Sequence, residues 1–432
     1  MNCKPLLVLS YTNPITPGGI QNVGRLVSAY PKNQYWIFTR YSELSTLLKA
    51  GTYNADDTTR FLYFDNLAAN EKSIEQLKKE ILQTSGSNAE KKSLLFYVLE
   101  FFRGLLRKSA ILREFFGFFA FLGKIFLMVK EGKKIIRNKK IGLMIAMTDG
   151  GTVLCTTYLL SKLTGVPYYV EFLDIYKENR LAPLEKLFAQ FFEPILFRNA
   201  TRLIVTNQGT KEFYEKQYGV GKLPFVVIHN STPGEPYEPL ITPYNPKPPY
   251  TILFSGSVYW AQLQGLENLI KAVQEMTDLD VRLDIYATKN PQQRDLLTTI
   301  SSPRIRISTA RPEDMPRIQT EADILFVSLS WHTDCQPIID TATPGKLSDY
   351  LIAGRPMLVH SPASSYLSRY AREEEFGEVV DQDDVEALKK AIRKLLTDIP
   401  YSKNLIENAR KTFYKNHDTK LVAKEFVELA CK

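Results

Sequence analysis

No stretch of this chain reaches the ~20 consecutive apolar residues that a membrane-spanning helix needs. The longest candidate, Phe115 to Val129, is interrupted by Lys124. Cysteine is scarce. Cys3, Cys155, Cys335 and Cys431 are scattered with no C-x-x-C pair. That pattern reads as neither a disulfide framework nor a structural zinc site, and suits a reducing compartment. Only 4 histidines are present, without metal-ligand spacing, so no metal is expected. Neither G-x-S-x-G nor G-x-x-x-x-G-K-[ST] occurs, which argues against a serine hydrolase and a P-loop ATPase. There is no internal repeat and no low-complexity tract. The opening MNCKPLLVLSYTNPITPGG has no basic stretch and no long apolar run, so Leu6 to Ser10 reads as a buried strand rather than a leader.

What is present is a globular composition, 44% hydrophobic and 24% charged, in 432 residues. That length exceeds one core and suits two domains. Short apolar runs alternate with helical patterns throughout. PLLVLSY, NQYWIFTR, IGLMIAMT, PYYVEFLD, ATRLIVTN and FVVIHN read as buried strands in the first half. YTILFSGS, VRLDIYAT, RIRIST, ADILFVSLS and RPMLVHSP do so in the second. Such series are built from βαβ units, so the expected fold is α/β, two doubly wound Rossmann-like domains with a cleft between them. The proline-dense Ser231 to Tyr250 marks the join. The expected layout is an N-terminal domain over 1–235, a linker over 236–250, a C-terminal domain over 251–418 and a closing helix over 419–432 that could pack on either.

The charge is local. Residues 91–140 hold 13 Lys and Arg against 3 Glu, a net of +10 in a chain whose total is +8. Within them Phe115, Phe118, Phe119, Leu122, Phe126 and Val129 share one helical face, with Arg107, Lys108, Lys124, Lys130, Lys133 and Lys134 supplying charge. Aromatics aligned with cations suit helices lying on an anionic membrane surface. Nucleic acid is not expected, because the aromatics form a stripe instead of interleaving with basic groups. The plainer alternative is core aromatics beneath a solvated basic face.

The segment Ala322 to Asp384 carries the chemistry. It gives a strand, a loop, a short helix opening at Pro344-Gly345-Lys346, a tight Gly354-Arg355-Pro356 turn and another strand. A helix amino end beside a lysine can take a diphosphate without a metal. Asp349, one turn on, can accept hydrogen bonds from ribose hydroxyls.

TPGKLSDYLIAGRPMLV resembles the donor-site motif of GT-B glycosyltransferases, in the retaining group often called family 4 (glycosyl transferases group 1), where Pro-x-Lys-Leu-x-Glu-Tyr-Leu-Ala-x-Gly-x-Pro is common. Asp349 stands where Glu is usual. The resemblance implies that Gly345 and Lys346 meet donor phosphate and Asp349 the ribose, with Ser255, Gly256 and Ser257 in the first loop of the donor domain. It places Gly18 and Gly19, after the first strand, in the cleft. Asp174, ending PYYVEFLD, becomes the candidate catalytic residue, with helix capping as its alternative role. Asp149 and His332 become candidates for lining the acceptor side and the donor sugar, His332 otherwise being a solvated loop residue. Two departures stand out. The donor-domain loop has no Arg or Lys before Lys271, so phosphate charge would rest on Lys346, backbone amides and Arg355 or Arg25. Thr341 occupies the place of the first Glu of a Glu-x7-Glu pattern.

The implied function is transfer of a sugar, with retention, from a nucleotide-diphosphate sugar to a lipid-linked or polysaccharide acceptor. The enzyme would be peripheral at the cytoplasmic face of a membrane and need no cofactor. The alternatives are a sugar-nucleotide epimerase on the same frame and a catalytically silent sugar-nucleotide-binding subunit of a polysaccharide assembly.

Overall fold

The computed structural model describes residues 3–11, 21–40, 61–66, 76, 109–287 and 302–431. Two all-parallel sheets organise them. The first holds β1 (Leu6–Leu9), β2 (Tyr35–Thr39), β3 (Phe61–Tyr63), β4 (Leu143–Met147), β5 (Tyr168–Phe172), β6 (Arg202–Val205) and β7 (Phe225–Val227), in the order β3-β2-β1-β4-β5-β6-β7. The second holds β8 (Tyr250–Ser255), β9 (Val281–Tyr286), β10 (Ile305–Ser308), β11 (Ile324–Ser328), β12 (Met357–His360) and β13 (Gly377–Val380), in the order β10-β9-β8-β11-β12-β13. Strands such as Leu6–Leu9 and Ile324–Ser328 are buried along their whole length, as expected when helices cover both faces. In each sheet the order reverses beside the first strand, between β1 and β4 and between β8 and β11. Doubly wound sheets bind ligands at such a switch point, outside the carboxyl ends of the strands.

The helices are α1 (Gln21–Leu26), α2 (Ala110–Lys139), α3 (Thr152–Thr164), α4 (Pro183–Asn199), α5 (Gln208–Tyr218), α6 (Trp260–Glu275), α7 (Met315–Glu321), α8 (Gln336–Thr341), α9 (Lys346–Ile352), α10 (Tyr366–Glu373), α11 (Val385–Thr397), α12 (Ile399–Thr412) and α13 (Thr419–Ala430). One face of the first sheet packs on α1 and α13 through Val23, Leu26, Val27, Val422 and Phe426. The other packs on α2 to α5 through Met128, Ile136, Leu160, Leu196 and Tyr214.

The proline-rich segment lies against the second sheet's side. The buried Tyr244 hydroxyl donates to the Leu395 carbonyl at 3.1 Å. The Arg355 guanidinium donates to the Thr242 carbonyl at 3.0 Å and to Thr242 Oγ1 at 2.9 Å. Arg355 therefore fastens the linker and is not available to a donor phosphate.

The closing helix returns to the first sheet. The Thr232 amide donates to the His417 carbonyl at 3.0 Å and the Thr419 amide to the Thr232 carbonyl at 3.1 Å, so the outgoing and returning segments are tied to each other. Beyond them α13 carries Cys431 to Cys3 at the start of β1, and the two form a disulfide with Cα atoms 4.4 Å apart. This bond overturns the reading of the cysteines as unpaired. A separation of 428 residues conceals the pair in the sequence, and only the return of α13 brings it together. Cys155 and Cys335 remain free and buried.

Of the basic segment, 109–140 is described. It forms one 30-residue helix, α2, whose Ser109 hydroxyl caps the Leu112 amide at 3.3 Å. Phe121, Ile125, Met128, Gly132 and Ile136 bury at helical spacing. Phe118 and Val129 pack against this buried side, so the exposed stripe is narrower than the sequence suggested. Among the described residues no helix is long and apolar enough to cross a membrane.

Candidate functional site

The described candidate residues lie at or past the carboxyl ends of strands or on the helices beside them. At the second sheet's switch point β8 ends in Ser255, and Gly256 follows with φ 111°, a conformation that favours glycine. A Cβ on Gly256 would stand 3.7 Å from Lys346 Cε. The Ser255–Gly256 turn and the start of α9 therefore meet as one wall. Pro344 starts the turn into α9, and its carbonyl accepts from the Leu347 amide at 2.9 Å.

Lys346 Nζ sits 3.4 Å from the centroid of the Phe254 ring and donates to Gln262 Oε1 at 2.8 Å. Burial pushes this ammonium well below the usual lysine value, and among the described residues no carboxylate lies close enough to offset that. Water nevertheless reaches part of the side chain. Asp174 has the same two properties: its residue is exposed, yet burial among protein atoms pushes its carboxyl up to about 6. It stands just past β5 on the first sheet, and its charge acts on Tyr259, which begins α6 on the second. Asp174 and Lys346 thus come from opposite sheets, the first acting on the residue before α6 and the second bonded to Gln262 within it.

The other candidates divide. The half-buried Asp349 accepts a short hydrogen bond from Thr232 Oγ1. Burial raises its carboxyl, while Arg25 and the Thr232 bond pull it back. Its remaining lone pairs could still take ribose hydroxyls. Ser255 is buried, with its hydroxyl 3.0 Å from the Tyr350 hydroxyl and 3.4 Å from Gln319 Nε2. It braces the turn, leaving its neighbours Gly256 and the exposed Ser257 nearer the cleft. Gly345 lies exposed at the start of α9. Gly18 and Gly19 lie outside the described residues.

Asp149 sits at the first sheet's switch point, past β4. Its Oδ1 accepts from the Gly151 amide at 2.8 Å and its Oδ2 from the Val153 amide at 3.1 Å, so it caps α3. Burial still pushes it up to about 6 against those bonds. His332 is solvent-facing at 84% side-chain exposure, with Nε2 3.6 Å from Asp383 Oδ2. The structure leaves it on the rim and not in the groove.

Sequence reasoning passed over the residues that join the two walls. Arg180 stacks on Trp260 with its guanidinium carbon 3.8 Å from the ring centroid, and also pairs with Asp334. Asn207 Nδ2 donates to the Thr341 carbonyl at 2.9 Å and to Thr343 Oγ1 at 2.8 Å, while the Thr341 hydroxyl, where an acidic residue is usual, donates to the Pro337 carbonyl at 2.7 Å within α8. These contacts span 80 to 154 positions, and no local pattern signals them. Gln262, which holds Lys346, lies in a loop-to-helix stretch without Arg or Lys and carries no sequence signal of its own.

Residues 249–398 match the family model described as Glycosyl transferases group 1. No curated protein sequence matches the chain. Solved structures share the fold over nearly the whole chain at low identity. A glycosyltransferase from Rickettsia africae is 12% identical with a TM-score of 0.64, covering 100% of this chain and 98% of its own. Sucrose-phosphate synthase from Thermosynechococcus elongatus is 14% identical at 0.63, covering 99% and 98%. Anabaena HepE, solved with UDP-glucose, is 12% identical at 0.63, covering 98% of each. The two-domain GT-B frame expected from the sequence is the frame found.

Proposed function

From a group 1 glycosyl transferase region set in a GT-B frame, we propose that the protein transfers a sugar from a nucleotide-diphosphate sugar to a lipid-linked or polysaccharide hydroxyl, with retention. The observation that carries this reading is the Lys346 ammonium, enclosed beside the Gly256 turn with a ring and an amide for company and, among the described residues, no anion. A diphosphate entering there would restore the full positive charge of Lys346 and gain a strong charge-assisted bond. That HepE was solved with UDP-glucose supports a nucleotide sugar as the ligand class.

In this reading Lys346 and the backbone amides at Gly256 and Gly345 take up charge as the diphosphate departs, the step at which electrostatic stabilisation contributes most. Asp349 would hold the ribose. Asp174, across the cleft, would face the reacting sugar. Enclosure by both walls would exclude water and so suppress hydrolysis. We place the enzyme on an anionic membrane surface, held through 91–140, with no metal or cofactor; the Cys3–Cys431 disulfide removes the cysteine argument for the cytoplasmic face.

A thermal-shift screen with UDP-, GDP- and ADP-sugars tests the donor site first. A ligand at ~100 times its Kd stabilises by about 2.7 kcal/mol. Release of free nucleotide diphosphate only when a lipid-linked acceptor extract is present then supports transfer. No shift with any nucleotide sugar would remove the reading. Binding without product over a broad acceptor panel would favour the silent subunit, which the missing Arg/Lys pair in the donor loop favours.

A further inference from the structure

The long helix α2 divides one exposed face into two chemically different halves. At 3.6 residues per turn, Ile111, Phe115, Phe119, Leu122, Phe126, Lys130, Lys133 and Arg137 all fall within about 100° of one another. The first five are apolar and exposed: Ile111 is 82% accessible and Phe126 72%. The last three are basic and, among the described residues, form no ion pair. Lys134 differs, because Glu131 holds it at 2.9 and 3.0 Å. The apolar half does not end with α2. Across the aromatic seam of Phe118, Phe121 and Phe188, helix α4 exposes Leu187, Phe191 and Ile195 at fourfold spacing, with Phe191 72% accessible. Where the basic half begins, a groove of about 480 Å³ opens between α2 and α3, with Phe126 and Leu163 as apolar walls and Lys130, Lys133 and Arg137 around it. That volume lies in the ~300–1,000 Å³ range of small-ligand sites.

We propose that this two-helix face docks on an anionic lipid bilayer, with the α2 and α4 aromatics in the acyl boundary and the α2–α3 groove seating an anionic lipid headgroup. A bilayer presents both things that the face lacks. Its acyl region covers exposed phenylalanine rings that a soluble monomer has no reason to expose, and its phosphates meet the unpaired cations at the depth where the apolar rows end. Long basic side chains can keep their stems along apolar surface while the charge stays at phosphate level. Docking is a property of the first sheet's outer layer and does not depend on sugar transfer, so its failure and the failure of the donor site are read separately.

Co-sedimentation with phosphatidylcholine vesicles and with vesicles containing phosphatidylglycerol tests it. The protein is expected to pellet with the second and only weakly with the first. Each basic residue near an anionic surface contributes about fivefold, so Lys130→Glu/Lys133→Glu/Arg137→Glu should lower partitioning by ~100-fold or more. Phe119→Ser/Phe126→Ser should lower it at least ~10-fold. All five positions are exposed, and far-UV circular dichroism and melting checks that they leave the fold intact. The charge-matched Lys247→Glu/Lys390→Glu/Lys403→Glu variant, on exposed residues of the other half, should pellet as the parent does. Equal loss in that variant, no pelleting with anionic vesicles, or a dimer in light scattering that the phenylalanine variant converts to monomer would each overturn the proposal, the last by assigning the face to a second copy of the chain.

Discussion

Lys346 Nζ donates to Gln262 Oε1 at 2.8 Å, so the expected diphosphate cation is held by a neutral amide carried on the first helix of the same sheet. The amide keeps the ammonium aimed across the Gly256 turn without neutralising it. Removing Lys346 should therefore remove charge stabilisation without disturbing the core. Lys346→Ala is expected to lower turnover by ~10²–10³-fold, as removing one preorganised donor does, with a melting temperature near the parent's. Gln262→Ala should act more mildly and mostly on KM, since the lysine loses its guide but not its charge. Unchanged transfer in Lys346→Ala would reject the role.

Asp174 leads to a pH argument. Burial pushes its carboxyl up to about 6. If its ionised form works opposite the donor, kcat/KM should rise as pH climbs through about 6, and Asp174→Asn should both depress the rate and erase that limb. A profile with the limb intact in Asp174→Asn assigns it to another group.

Much of this architecture could be read from the sequence, for local reasons. Apolar runs such as ADILFVSLS bury on both faces and advertise themselves as parallel strands, and the Pro344 to Pro356 spacing locates α9 and its lysine. Short strands were missed: Phe61–Tyr63 and Gly377–Val380 carry too few residues to show a period. Tertiary events were invisible. Ser255 looked like a donor contact until Tyr350 took its hydroxyl, and Arg355 looked like a phosphate cation until Thr242 claimed it. Phe118 and Val129 share a helical face with exposed residues on paper, but Phe118 packs on Phe188 of α4 and Val129 against the cluster of Phe121, Ile125 and Cys155.

The disulfide is directly checkable. Under denaturing conditions without reductant, thiol titration should count two reactive groups, Cys155 and Cys335, and four after reduction. Cys431→Ser should lower stability by roughly 2–4 kcal/mol, seen as an earlier melting transition that reductant no longer shifts. Four thiols in the unreduced protein would show that Cys3 and Cys431 do not pair.

Glu171 and the paired histidines pull stability in opposite directions along the pH axis. Glu171 lies buried in β5 with Oε2 unpartnered, and burial pushes it up to about 8. A raised carboxyl favours the fold fully below the unfolded value near 4.5, and that advantage is lost as pH rises through about 8. Glu171→Gln should therefore be nearly neutral at pH 5 and raise the melting temperature by a few degrees at pH 9. Equal effects at both pH values would show that the carboxyl is ionised in the folded state.

At the crossing of the two chain segments, His417 Nδ1 lies 2.7 Å from the Asn230 carbonyl, so it must carry the proton and donate, leaving Nε2 to accept from the Tyr370 hydroxyl at 3.0 Å. His229 packs 5.0 Å from His417, ring to ring. Burial holds His229 down to about 4, and burial together with His229 holds His417 down to about 3. Both rings are neutral in the fold while the unfolded chain binds protons near 6.5. Stability is thus complete above 6.5 and falls as pH drops through the folded values. His229→Phe keeps a ring against Tyr370, which His229 parallels at 6.1 Å, but removes one titrating group. Its acid-unfolding midpoint should move to lower pH by several tenths of a unit, and an unmoved midpoint would mean that acid unfolds the protein elsewhere first.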